Sequence, residues 1–313
     1  MAKKVKEQSV PDQIMGSWEL KPEKLITEEL SWRFGIRSCL RGDNLMLTGP
    51  TGAGKDLFIA SLAAALGQEI HYIPFGSTQD PRSSIIGNTH YNPERGTFTQ
   101  QSYFASVIQK PGVIVAFDEL TRAHPEVQNI LMTVLDKDKR WLRIDEDPDV
   151  PTIQVADGVC FLATANIGAE YLTTRGLDRA FLDRWSILEL DYLSKENEIK
   201  NLERTFPELD DMDRRLIAEI VTQTRREMDK EQPNLSTALS TRAAEEIGAL
   251  VADGFTLPEA IKIRAYPLYS KEGNPSERVA FIQMVQAFLP DVSVNDPDIV
   301  GPITNDDELK DLF

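Results

Sequence analysis

"GPTGAGKD", residues 49–56, lies between the apolar run "NLMLTG" (44–49) and "GKDLFIASLAAALG" (54–67), whose apolar residues recur at helical spacing and stop at Gly67. A glycine-rich turn leading from a buried strand into a helix is the context that makes a phosphate cradle. With no side chains at Gly49, Gly52 and Gly54, backbone N–H groups and the helix N-terminus point at anionic oxygens, and Lys55 reaches the β- and γ-phosphates as a point charge. The segment departs from the pattern G-x-x-x-x-G-K-[ST] at its last position. There Asp56 brings a carboxylate where a hydroxyl ordinarily ligates magnesium.

Outward from this loop, further runs read as buried strands: "EIHYIPF" (69–75), "GVIVAFDE" (112–119), "GVCFLATAN" (158–166) and "RWSILELD" (184–191). Helix-length stretches separate them, which implies an α/β domain with a mostly parallel sheet sandwiched by helices. Two segments break the rhythm. Residues 87–101, "GNTHYNPERGTFTQQ", follow a short helix at 80–86 and read as a loop or small hairpin, and 139–157, "KRWLRIDEDPDVPTIQVAD", read as two strand-like runs around an acidic turn. From residue 192 the strand runs vanish, and "KENEIKNLERTFPELDDMDRRLIAEIVTQTRREMDKE" and "STRAAEEIGALVADG" are charged and helix-periodic. The expected layout is an N-terminal extension (1–29), a large nucleotide-binding α/β domain (30–191), a small all-helical lid (192–289) and a loosely held acidic tail (290–313).

Composition narrows the function classes. The 313 residues, 41% hydrophobic and 27% charged, are ordinary for a globular chain with room for two domains. A formal charge of −16 works against binding to nucleic acid, whose phosphates it repels. Cys39 and Cys160, each beside an apolar neighbour, suit reduced, buried thiols. "MAKKVKEQSV" lacks the apolar run of a signal peptide and no stretch has the length to span a bilayer, so a soluble cytoplasmic protein without membrane contact is expected. The three histidines and two cysteines form no cluster, so no metal beyond magnesium is expected.

Polar residues gather at the strand ends. In "VIVAFDEL", Asp118 and Glu119 emerge from a buried strand at the carboxyl edge of the sheet, where ligands of such sheets bind. Asp118 is placed to hold the magnesium water shell and Glu119 to polarise a water for attack on the γ-phosphate. "ATAN" leaves Asn166 at the same edge, either positioning that water or capping a turn. "GLDRAFLDRWSILELD" offers Arg179 and Arg184 before the last strand, either for a neighbouring subunit's phosphates or for salt bridges with Asp178 or Asp183. In "LSTRAAEEIGAL", Ser240 and Thr241 read as caps, which puts Arg242 at a helix start, where a cation is unfavourable unless an anion compensates it.

At these residues the chain resembles the AAA+ ATPases, and within them the MoxR clade (MoxR, CbbQ and NorQ type), with further similarity to the CobS motor subunit of cobaltochelatase. "GPTGAGKD" is similar to Walker A except at its end, "VIVAFDEL" to Walker B, "ATAN" to sensor 1, "DRW" to the arginine-finger region and "STRA" to sensor 2, over about residues 30–290. The resemblance implies ATP and Mg2+ as cofactors, held by Gly49, Pro50, Thr51, Gly52, Ala53, Gly54, Lys55, Asp56 and Leu57, with Asp56 and Asp118 at the metal. It also implies catalytic roles for Glu119 and Asn166, phosphate sensing by Arg242, and Arg184 as the finger acting in trans, with Arg179 second. A homo-oligomeric ring, commonly a hexamer, is implied, acting on a protein partner that often carries a von Willebrand A domain. The interruptions at 87–101 and 139–157 look like the clade's helix-2 insert and pre-sensor hairpin, where Tyr91 and Phe98 either touch a substrate or pack the insert.

Asp56 leaves three outcomes open, because its charge attracts the metal and repels the phosphates: direct ligation, a water-mediated contact, or weakened nucleotide affinity. The expected function is an ATP-driven remodelling motor. Its alternatives are a nucleotide-stabilised ring or scaffold with little hydrolysis, and a chelatase motor subunit of CobS type.

Overall fold

The computed structural model describes residues 9–75, 80–94, 96–144, 151–166, 177–273 and 275–290. The chain divides into two compact units, Met1–Asp191 and Tyr192–Phe313.

The first unit opens with α1 (Val10–Gly16), capped by the Ser9 hydroxyl, and α2 (Glu29–Arg41), which Gly42 ends in the left-handed region. Trp32 of α2 is wholly buried, and its indole N–H donates to the Ser17 carbonyl at 2.7 Å, so the segment ahead of α2 is packed against it. Then follow β1 (Leu45–Thr48), α3 (Lys55–Leu66), β2 (Ile70–Pro74), α4 (Pro81–Ile85), and an antiparallel hairpin of β3 (Gly87–Asn92) and β4 (Gly96–Gln101). The chain continues through α5 (Tyr103–Val107), β5 (Ile114–Asp118), α6 (Pro125–Val134), a second antiparallel hairpin of β6 (Trp141–Arg143) and β7 (Thr152–Gln154), β8 (Cys160–Ala165), α7 (Arg179–Leu182) and β9 (Ser186–Glu189).

Five strands form one all-parallel sheet in the order β2-β5-β8-β1-β9, which is the helix-sandwiched AAA+ architecture expected. Their sequences are nearly continuous apolar runs because both faces are covered. Ile114, Ala116, Leu45, Leu47, Cys160 and Leu162 pack with α2 and α3 on one face; Val115, Phe117, Phe161 and Met46 pack on the other. On that second face Phe117 and Phe161 stack at 5.7 Å. Cys39 and Cys160 are buried free thiols. Both interruptions of the sheet rhythm are hairpins. Tyr91 is 75% exposed on β3, and the Phe98 side chain lies outside the described residues, as do residues 1–8 and the tail 291–313.

The second unit is built from helices joined by loops: α8 (Lys195–Thr205), α9 (Asp211–Met228), α10 (Thr241–Ala252), α11 (Leu257–Arg264) and α12 (Glu277–Gln286). The charged stretch from Lys195 forms two helices. Phe206 precedes Pro207, the ring of which disfavours helical backbone before it, and Phe206 takes φ −131° and ψ 74°. Ser194, Ser240 and Thr256 cap three of the helices, the last in a capping box with Glu259.

A buried clamp lies inside this unit. The Arg225 guanidinium donates to Glu198 Oε1 (2.6 Å), to the Leu193 carbonyl (2.8 Å) and to the Leu239 carbonyl (3.1 Å), and it lies over the Tyr192 ring. Thr241 Oγ1 also donates to Glu198 Oε1, which is wholly buried. Breaking such a buried pair by removing one partner typically costs about 3–5 kcal/mol.

Candidate nucleotide site

The cradle begins where β1 ends. Gly49 has φ 141°, and a Cβ there would stand 1.9 Å from the Leu190 carbonyl oxygen. Only glycine fits, because β9 remains paired with β1 up to this point: the Leu190 N–H donates to the Thr48 carbonyl at 2.8 Å. Gly54 caps α3 in the left-handed region and, as a glycine, offers no side chain to the amides of the first turn. Amides at a helix start are suited to receive an anion.

Lys55 opens α3 and is 8% exposed, its Nζ donating to the carbonyls of Gly49 and Pro50, both at 2.8 Å. Burial pushes its ammonium down to about 8, against the upward pull of Asp56, Asp118 and Glu119. The lysine therefore lies within electrostatic range of the three carboxylates singled out in the sequence. A phosphate brought to Lys55 favours the charged form, so nucleotide binding takes up a proton once the pH exceeds about 8. In metal-free buffer with EDTA, ADP affinity is expected to be flat below that pH and to fall by up to roughly tenfold per pH unit above it. Calorimetry in buffers of different ionisation enthalpy reads the proton directly. An affinity independent of pH across this range would remove Lys55 from the phosphates.

Asp118 and Glu119 are set by a residue of the neighbouring strand. Thr164 of β8 is buried; its hydroxyl donates to Asp118 Oδ1 at 2.9 Å and accepts the Glu119 N–H at 3.0 Å. Glu119 has φ 52° and ψ 48°, a left-handed conformation that costs a non-glycine residue on the order of 1–3 kcal/mol. Arg122 pairs with its carboxylate at 3.1 Å. Asn166 stands one residue beyond β8, whose Ala165 is level with Thr48, so it shares the strand edge from which the cradle springs. Among the described residues no three of His, Cys, Asp and Glu form a metal cage. Magnesium needs none, since one or two carboxylates complete its shell with phosphate oxygens and water, and Asp118 with Asp56 at the first turn of α3 fit that demand.

Arg184 lies at the other end of the strands. The Asn44 side chain, just ahead of β1, donates to the Arg184 carbonyl at 2.9 Å, so β1 separates Arg184 from its own cradle by ~13 Å of strand. The Arg184 guanidinium donates to the carbonyls of Met132 (2.9 Å) and Ala180 (2.6 Å) and to Asp136 (3.2 Å). Its ion pair is with Asp136, and Asp178 instead caps α7 by accepting from the Ala180 N–H at 2.7 Å. Arg179 is exposed. Arg242 is exposed in the first turn of α10, in the helical unit, with Ser240 as the cap.

The profile of the AAA domain (dynein-related subfamily) matches residues 44–185. "Putative chaperone BssE" of Thauera aromatica is 30% identical over 227 residues, 70% of this chain and 72% of that protein. The chain belongs to the AAA family. "Chaperone protein ClpB" of Rhizobium meliloti is 30% identical over 142 residues, 42% of the chain and 15% of ClpB. Among the described residues of this AAA protein no helix is long and apolar enough to cross a membrane.

Two residues of the AAA site escape the motif reading: Thr164 and Arg122. Thr164 carries a signal in retrospect, as a polar side chain within a strand buried along its whole length must find partners. Thr164→Val keeps the shape and removes both bonds, leaving Asp118 and Glu119 less well aimed. The expected result is a turnover lower by roughly tenfold or more with nearly unchanged ATP affinity, read by phosphate release beside equilibrium binding. A variant that folds and turns over normally would show that Thr164 does not position the pair.

Proposed function

We propose that this AAA protein is an ATP-hydrolysing motor of MoxR type that works as a homo-oligomeric ring, a hexamer, and remodels or activates a protein partner. The observation that carries the reading is the convergence of Lys55, Asp118 and Glu119 on the uncapped start of α3. Gly49, Pro50, Thr51, Gly52, Ala53 and Gly54 wrap the phosphates, Leu57 supports the turn, and Lys55 leaves the loop carbonyls for the β- and γ-oxygens. Asp118 and Asp56 would hold Mg2+, which when bound would supply positive charge to the phosphate oxygens. Glu119 takes the proton of the attacking water, Asn166 orients that water, and Arg242 senses the γ-phosphate from the helical unit. Arg184 reaches a neighbour's nucleotide, because its position at the far end of β1 denies it its own.

A protein partner is supported by the chaperone names of BssE and ClpB and by the charge of −16. A partner with a von Willebrand A domain fits the MoxR reading. Asp56 favours a second reading, a ring in which ATP is bound and hydrolysis matters little, because a carboxylate beside the phosphates opposes the charge of the substrate. Comparison of Asp56→Thr with the parent separates the two. Slow, magnesium-dependent phosphate release that rises several-fold in the variant supports the motor. No release from either protein, in the presence of bound ATP, would leave the scaffold standing instead.

A further inference from the structure

Tyr72 is beside Ala116 in the β2–β5 register, and Pro74 is beside Asp118. Side chains alternate along a strand, and adjacent residues of a parallel pair share a face. Ile114 and Ala116 face α2 and α3, whereas Ile73, Val115 and Phe117 face the opposite layer. Tyr72 therefore stands on the α3 side of the sheet, in the line that ends at Asp118. It is 43% exposed at the edge strand, where an apolar core does not require it. Partial burial raises the pKa of its phenol, and the charges of Asp56, in the first turn of α3, and of Asp118 act in the same direction.

A carboxylate at the end of the loop has two needs that a threonine does not. One oxygen must face the metal, and the charge on the other must be drawn away from the β- and γ-phosphates. A neutral O–H donor bonded to the second oxygen meets both, fixing the rotamer and spreading the charge. We infer that Tyr72 is this donor: its phenol O–H bonds the Asp56 carboxylate in the magnesium–nucleotide complex, so that the two side chains together replace the hydroxyl of the ordinary loop. Tyr72 acts as a positioning residue and does not itself touch the metal. The inference rests on the ATP-binding reading above.

A double-mutant cycle tests it with the full-length parent, Tyr72→Phe, Asp56→Thr and the double variant, using a ribose-labelled fluorescent ATP with Mg2+ and again with EDTA. Tyr72→Phe is expected to weaken magnesium–ATP binding by roughly 5–20-fold in the parent and by less than about twofold in the Asp56→Thr background. In EDTA the Tyr72→Phe variant is expected to match the parent. An equal loss in both backgrounds, a loss that persists in EDTA, or no loss would overturn the pairing. Thermal melting shows whether each variant folds; should Tyr72→Phe not fold, Tyr72→His carries the same cycle with a different donor. Failure of the parent to bind the probe with or without Mg2+ would reject the ATP reading itself.

Discussion

Glu119→Gln is expected to keep ATP bound while turnover falls by roughly 10²–10⁴-fold, the range for losing a positioned general base. The change is isosteric. The Glu119 N–H still reaches Thr164, and only the ion pair to Arg122 is lost, an exposed contact worth about 0–1 kcal/mol. The melting temperature should therefore hardly move, which separates a chemical defect from a folding one. An unchanged turnover would show that Glu119 is not the base. The same variant distinguishes motor from scaffold, since trapped ATP stops a motor and leaves a scaffold working. A pull-down with the ATP-loaded variant, compared with the parent, should retain the protein partner for identification.

Arg184→Ala is the second large effect. An arginine that stabilises the transition state in trans is worth about 10³–10⁵ in turnover, whereas ATP binding to the subunit's own cradle should survive. Unlike Glu119→Gln, this variant also loses three intrasubunit hydrogen bonds, to Met132, Ala180 and Asp136, so a fall of about 1–3 kcal/mol in stability accompanies it. Mixing separates the two effects. Arg184→Ala subunits offer a sound cradle and Glu119→Gln subunits a sound arginine, so a mixture of the two inactive proteins should regain part of the activity. No recovery, together with inactivity of the stably folded Arg179→Ala protein, would move the role to Arg179, which is exposed.

The five sheet strands were legible because burial on both faces makes each a continuous apolar run, and both hairpins because an acidic or glycine-containing turn interrupts paired runs. Strand order was not legible, since it is decided by crossovers that place β8 between β5 and β1, although 114 residues of chain lie between Leu45 and Cys160. The break at Phe206 follows from Pro207 and was readable, but the helical periodicity on either side masked it. In the site, the motif residues declared themselves by spacing. Thr164 and Tyr72 did not, because their relevance depends on which strands are neighbours and in what register. The anchors of Arg184 were hidden for the same reason: Met132 and Asp136 lie 52 and 48 residues away along the chain.

The Arg225 clamp has a mechanical consequence for the helical unit. One guanidinium grips Leu193, at the entry to that unit, and Leu239, two residues short of α10, and Thr241 joins through Glu198. The backbone entering the unit and the head of α10 are thus tied to one another through a single buried guanidinium and its carboxylate partner. Within the helical unit, displacement of the backbone at Leu193 is therefore coupled through one buried side chain to the head of α10, the turn that carries Arg242.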